Sequence, residues 1–339
     1  MAKFVWIGVG VLLLGAAACA YVLNNGAPPI PKGGCPAAVS LAPYDSDIVA
    51  YVDFASLRSA VPQQQLDALT HSPSAAALNQ FVAATNFHFE SDLDHITLVA
   101  STSSSSGALV FDGRFDQAKL VDFFTKSGAR MDHYETADVY LFPSPSPAGS
   151  FSVAFFGPNR VAITGGKDSE TQMLVLADAV RHPNSSSHEG LCARTSRVSG
   201  APFFLLGEVS KTSAIRTALA RSADHGVTDV LSGIQGWDMG FWAEGDSVRL
   251  AFEGEYDGAL DALKARFALQ KLLDTAHKEM ANAGLSMNSS QRAVLDTFWK
   301  KFAVTVDGHY LRVGTSLNRS DMLSLASVAT PNFSSMGRQ

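Results

Sequence analysis

Cysteine is scarce: three in 339 residues, at positions 19, 35 and 192, with no Cys-x-x-Cys pair among them. That spacing excludes a thioredoxin-type redox motif and the usual structural zinc sites. Charge is also thin, at 17% of residues with a net −6, and Lys and Arg never form a run. A surface that tracks phosphates needs clustered cations, so nucleic-acid binding is disfavoured. Gly-x-Ser-x-Gly and His-Glu-x-x-His are absent, which removes the common hydrolase elbow and zinc-peptidase readings. Gly165-Gly166-Lys167-Asp168-Ser169 has the outline of a phosphate loop. However, Val161 stands where its first glycine belongs and Asp168 where a hydroxyl would hold Mg²⁺, so the loop would repel phosphate. It reads as a strand-to-helix turn capped by Asp168 or Ser169. No catalytic set, metal-ligand set or cofactor-binding motif is assigned.

What the chain does have begins at its N-terminus. Lys3 precedes Phe4–Leu23, twenty residues without a charge. As a helix that stretch spans roughly 30 Å, the thickness of a bilayer's hydrocarbon core. Three membrane readings stand open: a retained anchor, a cleaved signal peptide ending near Ala16 and Ala18, and a lipid on Cys19. Each places the rest of the chain outside the cytoplasm, in or beyond the cell envelope. Residues 24–41 follow as a Pro/Gly-rich linker, because proline blocks helix and glycine breaks strand. In an oxidising compartment Cys35 and Cys192 can form one disulfide joining this linker to the middle of the chain, or they can stay free thiols.

Hydrophobic residues make up 46%, a composition that folds. Ile48–Phe54 reads as a strand, and His95–Ala100 with Ala108–Phe111 as a hairpin with a serine-rich tip. Asp116 caps the next helix, with Phe115 and Leu120 stapling its start and Gly128 ending it. Val139–Phe142 is a strand. Phe151–Phe155 and Arg160–Thr164 form a second hairpin, and a helix runs to about Val180. After a polar connector, the order returns. Phe203–Glu208 and Lys211–Ala220 match the first strand and helix, and Trp237–Trp242 with Ser247–Phe252 match the first hairpin. A long helix starts near Gly258, and Phe302–Val306 with Tyr310–Gly314 match the last hairpin around Asp307-Gly308. The expected organisation is a segment 1–23, a linker 24–41, repeat 1 over 42–181, a connector 182–200, repeat 2 over 201–330 and a tail 331–339. The fold class is α+β: two tandem, diverged β-α-β-β-α-(β)-β-β-α repeats forming antiparallel sheet covered by helices.

The duplication is marked by a box, Phe111-Asp112-Gly113-Arg114-Phe115-Asp116, that returns as Phe252-Glu253-Gly254-Glu255-Tyr256-Asp257. Asp112 with Asp116 and Glu253 with Asp257 are candidates for acid/base work or Ca²⁺ binding, should the copies converge. The plainer reading makes the first acid a strand end and the second a helix cap. Nine histidines are scattered, none paired with another at metal-ligand spacing. Trp237, Phe241 and Trp242 are candidates to line an apolar pocket, a use that competes with core packing. Asn184, Asn288, Asn318 and Asn332 head Asn-x-Ser sequons, which matter only in a eukaryotic source.

Ile48–Asp53 with Leu57-Arg58, Gly113–Asp116 and Arg160–Gly165 together resemble a loose group of uncharacterised exported or membrane-anchored bacterial proteins. The resemblance covers most of the first copy and, more weakly, the second. It implies a duplicated domain behind an N-terminal membrane segment, and it brings no activity or site residues. Function is therefore expected to be a non-catalytic binding or structural role in the cell envelope, with an envelope protein as partner. The alternative is a carrier of a lipid or other apolar ligand in a groove between sheet and helices. An enzyme with a non-motif active site comes third.

Overall fold

The computed structural model describes residues 39, 42–43, 46–58, 76–101, 104, 106–134, 137–142, 150–166, 168–182, 189–209, 225–231, 233–244, 247–282, 293, 296–297, 299–318 and 321. The apolar segment 4–23, the tether with Cys35, the helix expected over 211–220, and the tail 331–339 lie outside them. Among the described residues, no helix is long and apolar enough to cross a membrane. Pro31–Glu208 and Val209–Gln339 fall in different compact units.

In the first unit the elements are β1 (Ile48–Asp53), α1 (Phe54–Arg58), α2 (Ala76–Thr85), α3 (Phe89–Asp92), β2 (Leu93–Ser101), β3 (Ser106–Gly113), α4 (Gln117–Lys126), β4 (Arg130–Tyr134), β5 (Ala137–Phe142), β6 (Ser150–Phe155), β7 (Arg160–Gly166), α5 (Ser169–Arg181), α6 (Glu189–Thr195) and β8 (Phe203–Glu208). Its strands lie in the order β8-β1-β2-β3-β7-β6-β5-β4, with antiparallel neighbours throughout. Because side chains alternate along a strand, the sheet has two apolar faces. One packs Tyr140, Phe142, Val153, Phe155 and Val161 against Leu120 and Phe124 of α4. The other buries Val139, Ala154 and Ala162 beneath α5, whose Met173 and Leu176 are fully enclosed. Helices thus lie on both faces of this sheet.

Two differences from the expected organisation concern the middle of the chain. The stretch 182–200 is more than a polar connector, since α6 folds within it and buries Leu191, with Val198 buried just beyond. The strand β8, expected to open the second copy, pairs with β1 in register from Ile48↔Gly207 to Val52↔Phe203. Its alternate residues Phe204 and Leu206 are buried there, which pins that register.

The second unit holds α7 (His225–Leu231), β9 (Ile234–Glu244), β10 (Ser247–Tyr256), α8 (Ala259–Asn282), β11 (Ala303–Asp307) and β12 (Tyr310–Asn318). Its strands run β9-β10-β12-β11, again antiparallel. Ala262 and Ala265 let α8 approach the sheet closely, over a core of Ile234, Tyr256 and Leu311. The last hairpin turns on Gly308-His309, one residue later than expected, and Asp307 ends β11. Gly308 has φ +59°, the conformation the first residue of a II′ turn requires.

Candidate functional site

The box gains its meaning from the strands beside it. Residues directly opposite in an antiparallel ladder share a face. In the first unit the register sets Asp53 of β1 opposite His95 of β2, His95 opposite Asp112 of β3, and Asp112 opposite Arg160 of β7. Four strands therefore contribute one ionisable row. Arg160 Nε donates to Asp112 Oδ1 at 2.7 Å, and His95 Nε2 lies 3.8 Å from Asp53 Oδ1. Asp53 is buried because it accepts Ser56 N at 2.8 Å and Ser56 Oγ at 2.7 Å at the start of α1. Tyr51 stacks between His95 (5.6 Å) and Phe204 (4.9 Å). Burial, with Asp53 and Asp112 nearby, pushes the Tyr51 hydroxyl's pKa up.

The remaining box positions are structural. A Cβ on Gly113 would sit 2.3 Å from the Asp92 carbonyl oxygen, so only glycine fits between β3 and the end of α3. Phe115 stacks on Phe87 at 5.0 Å and packs against the cluster holding Leu120. Asp116 Oδ1 accepts Lys119 N at 3.2 Å and caps α4, as expected. That backbone bond holds its carboxyl below the usual carboxylate range. Asp112 and Asp116 thus serve different partners.

The second box repeats this arrangement. Asp238 of β9 faces Glu253 of β10, which faces Arg312 of β12. Arg312 Nε donates to Glu253 Oε2 at 2.5 Å and Nη1 to Asp307 Oδ2 at 2.8 Å. The Glu253 bond, with Asp307 behind it, raises the guanidinium's pKa further. Beside this row, at the start of α8, opens a cleft of about 450 Å³. Gln235, Glu255, Asp257, Gly258, Gly308 and His309 line it. His309 Nε2 stands 3.8 Å from Glu255 Oε1, and the Gln235 amide donates to Asp257. Tyr256 also lines it, its hydroxyl donating to the Val230 carbonyl at 2.7 Å and its pKa pushed up to about 12 by burial. The walls mix these polar groups with apolar surface, so they do not by themselves select a ligand class.

No protein-family model matches the chain, and no curated protein matches it. Among solved structures it is similar to crystal form III of TP0453, at 11% identity over 88% of this chain and 99% of that one, with a TM-score of 0.46. Crystal form I of TP0453 gives 12% identity over 90% and 99%, with a TM-score of 0.42. Likeness at this level says nothing of activity.

The other predicted residues scatter. Strand alternation puts Trp237 and Phe241 on one face of β9 and Trp242 on the other, so the three cannot line one pocket. Trp237 packs on the core of the second unit, and Arg249 lies 3.8 Å over the Trp242 ring. Cys192 is disulfide-bonded, and its partner lies outside the described residues. His133, His182 and His277 each meet one aspartate, at 2.6, 3.0 and 2.9 Å. Among the described residues no three His, Cys, Asp or Glu side chains gather as a metal site. Ser169 is buried among Ser150, Ser152 and Thr164, and Asp168 makes no side-chain cap bond. Gln235, His309 and the rows' His95 and Arg partners went unpredicted, because cross-strand register carries no local sequence signal.

Proposed function

We propose that this chain is a membrane-tethered envelope protein with a non-catalytic binding or structural role, built from two diverged copies of one α+β repeat. One observation carries the non-catalytic part. Asp112 and Glu253, the acid at the same place in each box, both hold an arginine on the neighbouring strand. The most suggestive carboxylates are therefore engaged in tying strands together. The duplication is supported by strand order, since β2-β3-β7-β6 and β9-β10-β12-β11 trace the same path. The tether rests on the uncharged segment Phe4–Leu23. The alternative is a carrier of a lipid or other apolar ligand, which needs an apolar groove, and the cleft beside α8 has mixed walls. Cross-linking in intact cells, followed by purification from the membrane fraction, tests the binding role. A reproducible cross-linked product is expected, and a chain that forms none would speak against it.

A further inference from the structure

We propose that β11 is a self-association edge, along which two copies of this chain pair antiparallel about a two-fold axis through Thr305. Among the described strands, β4 closes the strand order in the first unit and β11 in the second. The two edges are built differently. β4 packs Arg130, Asp132 and His133 into five residues, with Arg130 on Asp132 at 2.7 Å and His133 on Asp138 at 2.6 Å. Charge of this kind deters another strand. β11 reads Ala-Val-Thr-Val-Asp, with no lysine, proline or register shift and a single acid at its end. Among the described residues, and apart from Asp307, it carries none of the lysine, proline or bulge devices that blunt an edge.

The strand is also complementary to itself. Its turn to β12 contains two residues, so Asp307 and Tyr310 close the ladder, and alternation directs the N–H and C=O of Val304 and Val306 away from β12. About the proposed axis, Val304 of one copy meets Val306 of the other, and each exchanges both outward bonds. These valines already pack against the core of the second unit, so their pairing extends an apolar cluster. On the opposite, exposed face Thr305 meets Thr305, a favourable cross-strand pair. Asp307 falls opposite Ala303 and is bonded to Arg312 at 2.8 Å, so like charges do not meet. The contact is isologous and closes at two copies. It does not depend on the membrane reading.

The test uses the full-length chain in detergent. Thr305→Cys places two thiols across a non-hydrogen-bonded pair, where Cα atoms lie about 4.5 Å apart, within disulfide reach. Ala303→Cys is the register control, its two copies separated by roughly 13 Å along the strands. Mild oxidation is expected to give a dimer joined through position 305, identified by mass spectrometry of the linked peptide, and none through position 303. Thr305→Lys and Thr305→Glu should each weaken self-association at least about tenfold in sedimentation, by setting like charges opposite one another. Mixing those two variants should restore it. A monomeric unmodified chain, equal linkage at 303 and 305, or a dimer indifferent to Thr305→Lys would each overturn the proposal.

Discussion

At Asp112 the neighbouring strand supplies the partner: Arg160 stands directly opposite and donates at 2.7 Å, with about a quarter of each side chain exposed. Partial burial makes this pair stronger than a surface pair and weaker than an enclosed one. Arg160→Ala is expected to lower stability by on the order of 1 kcal/mol in urea unfolding, and a double-mutant cycle with Asp112→Ala should show coupling. Independent single effects would contradict the pairing. Asp116 makes a different prediction. Its folded pKa is depressed, so its stabilisation is present above the unfolded carboxylate value of about 3.9 and is lost as pH falls through the folded value. Asp116→Asn keeps a capping oxygen without the titration. The variant's urea midpoint should therefore fall less between pH 5 and pH 3 than that of the unmodified chain. The cap could be read from an acid followed by an amphipathic run. Arg160 could not, because it is 48 residues away in sequence.

Elements were readable where pattern was strong. β1, β5, β6, β7 and α4 fall close to their expected spans, since β-branched, aromatic or helically spaced apolar residues mark them. α3, β4 and α6 were not expected: Phe-Glu-Ser-Asp, Arg-Met-Asp-His-Tyr and Glu-Gly-Leu-Cys-Ala-Arg-Thr are short or polar, and tertiary pairing decides them. Helices divide likewise between buried and outward apolar positions. In α4, Phe124 contacts Tyr140, Phe142 and Phe155. Phe124→Ala should cost about 3–5 kcal/mol. In α8, Leu260 is 64% exposed, and Leu260→Ala should change stability by no more than about 0.5 kcal/mol. Chemical denaturation of both variants checks the contrast, and similar losses would contradict the assigned faces.

For the whole molecule, the sequence showed antiparallel α+β architecture and a recurring box, while the assignment of β8 depended on a pairing with β1 that lies some 150 residues away. The cleft beside α8 was invisible for the same reason: Gln235, Glu255 and His309 meet only when β9, β10 and the β11–β12 turn assemble. Cys192 is disulfide-bonded, and the sequence reading points to Cys35 as the other half. Non-reducing peptide mapping of the full-length chain should return a Cys35–Cys192 linkage. A Cys19–Cys192 linkage, or two free thiols, would contradict it. The tether itself is tested most directly by fractionating cells that express the full chain, combined with protease added to the non-cytoplasmic side. The expected result is a chain that stays with membranes through alkaline carbonate washing and whose folded body is reached by the protease. A chain recovered in the soluble cytoplasmic fraction, shielded from that protease, would contradict the proposed function.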